Sequence, residues 1–284
     1  MRITTLSLLF FMILANASGQ NTMVTNLYFK NMNYLNPAAG LEDEGGKYSF
    51  QFYGKYKHVG NELWTKSFDS YFNHIGKIEK TSGFYSFSYL LERFSYFNRH
   101  ALLASYTQVW KWGEHNYINA GVRGVFNFDH VDWDKLYYID SRHGRRLYYT
   151  PDLDLGIRYG NKRLTVGVAL KNVFSNTIYI DEKPFITNKR FWVADASYRF
   201  DIKDMVAITP YTLVRYEYDI SFDLGVNVGY KDIISIGYQL RVMEIRHIYS
   251  LLAHIGKHFH LGFAVDHSTI HSDINFDALL RYTF

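Results

Sequence analysis

Cysteine is absent from all 284 residues. That excludes disulfides, thiolate metal sites, a cysteine nucleophile and lipid attachment at a cysteine. Neither sign of charge dominates: 31 Lys+Arg stand against 27 Asp+Glu, interspersed along the chain, and a net charge of +4 is too weak a bias for a nucleic-acid surface. Beyond the first twenty residues no stretch of 18 or more uncharged apolar residues occurs, so no helical membrane span is expected. Serine-nucleophile (GxSxG), zinc-protease (HExxH) and phosphate-cradling glycine motifs are all missing, so neither enzyme activity nor a cofactor is expected. Proline is scarce, with 4 residues against 25 Tyr and 22 Phe, and that balance belongs to strands.

The N-terminus has the layout of an export signal. Arg2 supplies the positive region, Leu6 to Leu14 the apolar core, and Ala17-Ser18-Gly19 a small-x-small cleavage site. A signal peptide at 1–19 is therefore expected, with the mature chain starting at Gln20.

Strict alternation dominates the rest of the chain. In Ile220 to Lys231, Ile220, Phe222, Leu224, Val226, Val228 and Tyr230 share one face, and Ser221, Asp223 and Asn227 the other. In Tyr117 to Phe128, Ile118, Val122 and Phe126 oppose Asn119, Arg123 and Asn127. The pattern recurs in about fourteen segments: 46–57, 64–75, 83–92, 100–112, 115–128, 152–160, 163–171, 191–200, 206–217, 220–231, 233–243, 247–256, 259–267 and 274–284. Their length suits tilted strands crossing a bilayer, and barrel strands need apolar residues only at alternate positions. The slightly negative mean hydropathy is compatible with that. The expected fold is an all-β, transmembrane, antiparallel up-and-down barrel over 46–284, preceded by a periplasmic segment, 20–45. The longest links, 129–151 and 172–190, come after the fifth and seventh segments, which puts both on the outer side if the N-terminus is periplasmic. The chain ends on Phe284, an aromatic closing the last strand; a soluble sandwich ending in an edge strand is the competing fold.

Candidate sites are few. Asn119, Arg123, Asp154, Arg158, Asp195, Arg199, Asp223 and Asn227 are expected to line the lumen, with Lys171, Lys231 and Arg241 in the same mixed-charge ladder. Arg142, Arg145 and Arg146, in the loop sequence RHGRR, offer contacts to anionic lipopolysaccharide or an acidic partner, or form a hydrated loop tip. The late histidines (His247, His254, His258, His260, His267, His271) and the carboxylates Asp129, Asp132 and Asp134 do not complete a metal-ligand spacing; the histidines read as lumenal and interface polar residues and the carboxylates as a solvated loop. His267-Ser268 and His271-Ser272 lack the third partner that a hydrolase needs. Glycines inside strands fit bends and tight lumenal packing. In YLNPAAG, Pro37 fixes its own φ and pushes Asn36 into an extended conformation. Tyr34, Asn36, Pro37 and Gly40 are the partner-contact candidates there, with Leu27 to Leu35 plugging the lumen, meeting a partner, or simply leading into the first strand.

Those residues also carry a resemblance. FKNMNYLNPAAG at 29–40, PDLDLGIRYGNKRLTVGVALKNVF at 151–174 and the acidic FDHVDWD resemble elements of the PorP/SprF family, outer-membrane proteins of the type IX secretion system. The region KYKHVGNELW keeps Trp64 but departs from that family's Arg-x-Gln-Trp-like element. The resemblance implies an outer-membrane barrel without catalysis of its own, assisting export or retention of surface proteins beside other secretion components and holding secreted adhesins through their C-terminal domains. A transporter for hydrophobic or small polar solutes is the other reading, since fatty-acid transporters share the strand number and an Asn-Pro-Ala element.

Overall fold

The computed structural model describes residues 25–40, 47–58, 66–94, 96–136, 144–180, 182–203, 205–217, 219–269 and 273–284. The expected signal peptide and Arg142 lie outside them. Among the described residues seventeen strands run in order: β1 (Tyr48–His58), β2 (Lys66–Ile78), β3 (Gly83–Phe94), β4 (Phe97–Trp112), β5 (Asn116–Asp132), β6 (Arg145–Gly160), β7 (Leu164–Lys171), β8 (Thr177–Ile180), β9 (Lys183–Thr187), β10 (Phe191–Tyr198), β11 (Phe200–Ile202), β12 (Val206–Tyr216), β13 (Ile220–Tyr230), β14 (Ile234–Arg241), β15 (Arg246–Ile255), β16 (Phe259–Ser268) and β17 (Ile274–Thr283).

All but β8 and β9 belong to one antiparallel sheet that closes on itself. β1 pairs with β17 from Ser49 opposite Thr283 to His58 opposite Ile274, and β10 pairs with both β7 and β12. β11 continues β10 past Arg199 in the same register against β12, so the ring has fourteen strands. Closure removes the free edges that would otherwise template aggregation.

Alternation sorts the two faces. Apolar side chains such as Phe52, Phe72, Leu102, Ile157, Val168, Leu224 and Ile236 stand exposed on the outer wall, whereas Asn119, Arg123, Asp154, Asp223, Asp266 and Asp277 are buried inside. A soluble protein does not present such a continuous apolar exterior, and a bilayer is the solvent that suits it. At the Tyr48 end, rings of Phe50, His74, Tyr48 and Phe284 stack into a girdle, continued by Phe259 and Tyr282 and, across the barrel, by Trp112 with Tyr159. Aromatic rings with a polar tip favour the headgroup level.

The upper limits of several strands depart from the sequence reading. β6 begins at Arg145 and β5 runs to Asp132, so the link between them is 133–144 rather than 129–151. RRLYYT keeps the two-residue period, and its charges stand above the bilayer, where they cost nothing. The 172–190 link also contains the β8–β9 hairpin, which the alternation of membrane strands did not announce. Both long links lie at the end opposite Tyr48.

Candidate functional site: the occupied lumen and the loop cap

Residues 25–40 lie inside the barrel. Tyr28–Lys30 form one 3-10 turn and Met32–Leu35 one helical turn, α1. A four-residue helix has no stability of its own in water; here Leu27, Tyr28, Tyr34, Leu35, Asn26 and Asn36 are all buried against the barrel. The turn after α1 is set locally. Asn36 has φ −129° and ψ 113°, the extended conformation that Pro37 imposes on its predecessor. Its Oδ1 accepts the Ala38 amide at 2.9 Å, and its carbonyl accepts the Ala39 amide at 3.0 Å. Asn33 Nδ2 donates to the Ala39 carbonyl at 2.6 Å and ties α1 to the turn.

The wall is shaped to receive this turn. Gly121, Gly156 and Gly167 come from three adjacent strands, with Gly121 opposite Gly156. A Cβ on Gly121 would meet the Pro37 backbone at 2.5 Å, one on Gly156 the Asn36 Oδ1 at 2.1 Å, and one on Gly167 the Asn36 Nδ2 at 2.9 Å. Removing three side chains thus makes room for a backbone. Polar groups then satisfy it: Thr107 Oγ1 donates to the Pro37 carbonyl at 2.6 Å, Asn119 Nδ2 to that of Ala38 at 3.1 Å, and Asn36 Nδ2 to the carbonyls of Ile157 and Val168 at 3.3 and 3.4 Å.

Cations hold the middle of the segment. Arg123 spends Nε and Nη2 on Asp154, at 3.0 and 2.9 Å, and donates Nη1 to the Asn33 carbonyl at 2.6 Å and Nη2 to the Tyr34 carbonyl at 3.0 Å. Lys171 Nζ donates to the Tyr34 carbonyl at 3.1 Å while lying 4.5 Å above its ring. Tyr34 in turn packs edge-on against Tyr71, and Phe29 stacks on Tyr211. Buried charges are costly unless fully partnered, and here the captive backbone supplies part of the partnership.

Carboxylates hold the start of the segment. The Asn26 amide donates to Asp277 at 2.8 Å and its Nδ2 to Asp266 at 2.5 Å and to Asp277 at 3.2 Å. Tyr53 also donates to Asp277, Arg246 to Asp266 and Asp273, and Lys55 Nζ lies 3.5 Å from Asp266. Beside them Asp223 gathers Arg215 at 3.1 Å, Arg241 at 3.2 Å and Gln239 at 2.9 Å. In the adjoining link, burial alone would raise the Glu244 carboxyl; Arg241, Arg215 and Arg246 outweigh it and hold Glu244 below the usual carboxylate range.

Asn119, Arg123, Asp154, Arg158, Asp195 and Asp223 face inward, Arg158 bridging to Asp195 at 3.1 Å. Asn227 lies half-buried on the same face of β13, its Oδ1 without a hydrogen-bond partner among the described residues. Arg199 departs from the expected ladder: at the break between β10 and β11 it pairs with Asp201 at 2.7 Å and with Asp232 of the neighbouring turn at 3.2 Å, so it marks the rim. Lys231 stands exposed in that turn too. Arg145 and Arg146 are exposed residues at the start of β6, not a loop tip. Asp129 is no solvated carboxylate; Arg99 clamps it through Nε at 2.7 Å and Nη2 at 3.1 Å inside the wall. Tyr34, Asn36 and Pro37 are enclosed rather than surface groups, while Gly40 is half-exposed where the segment leaves the seat. Sequence reasoning passed over Asn26, Lys55, Asp266 and Asp277, although joining the first strand to the last places Lys55 directly opposite Asp277.

At the opposite mouth the two long links dock on each other. Phe185 of β9 packs at a tilt on Trp133, ring centroids 4.9 Å apart, beside Val131 and Tyr148, and Asn188 joins Arg99 at 2.8 Å to Thr150 at 3.0 Å.

The family model described as type IX secretion system membrane protein PorP/SprF matches residues 17–277. The chain belongs to the PorP/SprF family. This barrel is accordingly an outer-membrane component of type IX secretion, and family membership implies association with other components of that system. Among curated proteins none matches the sequence. Solved structures share the architecture. The toluene transporter TbuX of Ralstonia pickettii is similar at 10% identity over 88% of this chain and 92% of its own, TM-score 0.58. The outer membrane protein Omp33 of Acinetobacter baumannii is similar at 9% identity over 84% and 98%, TM-score 0.53. A FadL homologue of Pseudomonas aeruginosa is similar at 10% identity over 88% and 93%, TM-score 0.51. At such identities the likeness describes the PorP/SprF barrel's fold and nothing of its cargo.

Proposed function

We propose that this barrel is a non-enzymatic accessory of type IX secretion that assists the export or surface anchoring of secreted proteins such as adhesins. It works by contact, with secretion components and with cargo C-terminal domains, rather than by conducting solutes. The observation that carries this reading is the lumen occupied by the chain's own residues 25–40, hydrogen-bonded to the wall at Asn26, Asn33, Tyr34, Pro37 and Ala38. Solute transport, the reading suggested by barrels of similar fold, finds that path filled. Tyr34, Asn36 and Pro37 then act by holding the segment in place, and Arg145 and Arg146, exposed beside the docked loops, are the groups offered to a partner or to lipopolysaccharide. Cleavage of the signal peptide at 1–19 precedes assembly.

The test is display of a secreted adhesin in cells lacking the gene, complemented with the wild type or with the R145A/R146A variant. Lost display, restored by the wild type, is expected; normal display without the gene would sink the proposal. Uptake of toluene or fatty acid that depended on the gene would favour transport instead.

A further inference from the structure

The register of β3 to β6 places a groove on the outer wall beneath a cluster of cations. Its floor is the row Ala104 opposite Gly124, and its sides are Phe87, Leu102, Phe126 and Pro151, bordering a shallow, open hollow of about 550 Å³. The residues that alternate with them, Ser88, Leu103 and Asp152, are buried inside the barrel, so the groove opens towards the bilayer. A Cβ on Gly124 would touch nothing within 4 Å. The hollow is therefore unfilled by the protein's own packing.

Counting along the same strands towards the looped end, the next row is Leu91, His100, Phe128 and Tyr149, and the row beyond it Arg93, Asn98, His130 and Leu147. Arg93 and His130 are exposed, and Arg93 makes no ion pair among the described residues. The rings of His100 and His130 lie 5.5 Å apart, and the Tyr89 hydroxyl holds His100 Nδ1 at 2.6 Å. One row further, Arg145 is 81% exposed, meeting Asp132 at 3.4 Å. Four residues separate the Leu102–Phe126 row from the His130 row, about 13 Å along a strand. Arg93, His130 and Arg145 thus stand on the looped side of an apolar hollow.

We infer that this face binds one acylated lipid with a phosphate headgroup, drawn from the leaflet at the looped, outward end. An acyl chain fills the groove over Gly124 and Ala104, and the phosphate meets Arg93, His130 and His100. A guanidinium and imidazole N–H donors suit a phosphate. The site is separate from the lumen and does not rest on the secretion role.

The full-length barrel in detergent micelles, titrated with monophosphoryl lipid A or with a phosphate-free diacyl glycolipid and read by native mass spectrometry, tests this. Lipid A adducts are expected at roughly tenfold lower lipid concentration than glycolipid adducts, the ratio that one charge-assisted contact of about 1.4 kcal/mol provides. Both the Gly124→Leu variant, which fills the groove, and the R93A/H130A variant should abolish that preference. Equal binding of the two lipids by the wild type would overturn the inference, as would an unchanged preference in either variant. Heat-modifiable gel mobility reports whether each variant is folded. Should Gly124→Leu fail to fold, Ala104→Leu closes the same groove from the neighbouring strand.

Discussion

Gly156 and Gly124 both belong to the central wall, and their contrast isolates what the lumenal segment demands. Alanine at Gly156 puts a methyl group 2.1 Å from Asn36 Oδ1 and 3.0 Å from the rigid Pro37 ring. Neither can yield without moving the turn, and such overpacking costs about 1–3 kcal/mol. Gly156→Ala is therefore expected to lower the midpoint of urea unfolding and to render the 25–40 segment cleavable by protease in the folded barrel, whereas Gly124→Ala leaves both unchanged. Equal behaviour of the two variants would contradict the seat. Gly156 was legible as a site of tight packing, whereas Gly124, read the same way, faces the open outer wall. What Gly156 packs against was not legible: Asn36 and Val168 are 132 residues apart, and no local period connects a turn to a wall that far along the chain.

Strands were the most legible part of the molecule, because a wall with lipid on one side and a filled lumen on the other forces a period of two. Fourteen expected segments and fourteen ring strands agree, down to the inward set of Arg123, Asp154 and Asp223. The ends were less legible, since above the bilayer both faces of a strand meet water and the apolar half of the signal fades, as in Arg145 to Thr150. The β8–β9 hairpin is hidden for the same reason, its residues answering to Trp133 rather than to lipid. On the wall proper the lipid face tolerates no charge. Leu155, exposed on the outer face midway between Thr150 and Gly160 in β6, replaced by Arg, is expected to lose about 2–4 kcal/mol. The folded, fast-migrating fraction on an unheated gel measures it.

Within the fourteen-strand ring the lumen is occupied by residues 25–40. Planar-bilayer recordings are expected to show little or no current for the full-length protein and stable openings for a variant lacking residues 25–40; comparable currents from both would mean that the segment blocks nothing. The contacts of Asn26 have a second consequence. Its anchors, Asp266 and Asp277, come from the last two strands, some 240 and 251 residues downstream, and Asp277 reaches Tyr53 and Lys55 only once β17 has zipped to β1. Contacts of such sequence separation form late because their loop-closure entropy must be met first. Ring closure and the securing of Asn26 are therefore one event. An unfinished chain leaves its leading residues unsecured, so the molecule checks its own completeness before its interior is sealed.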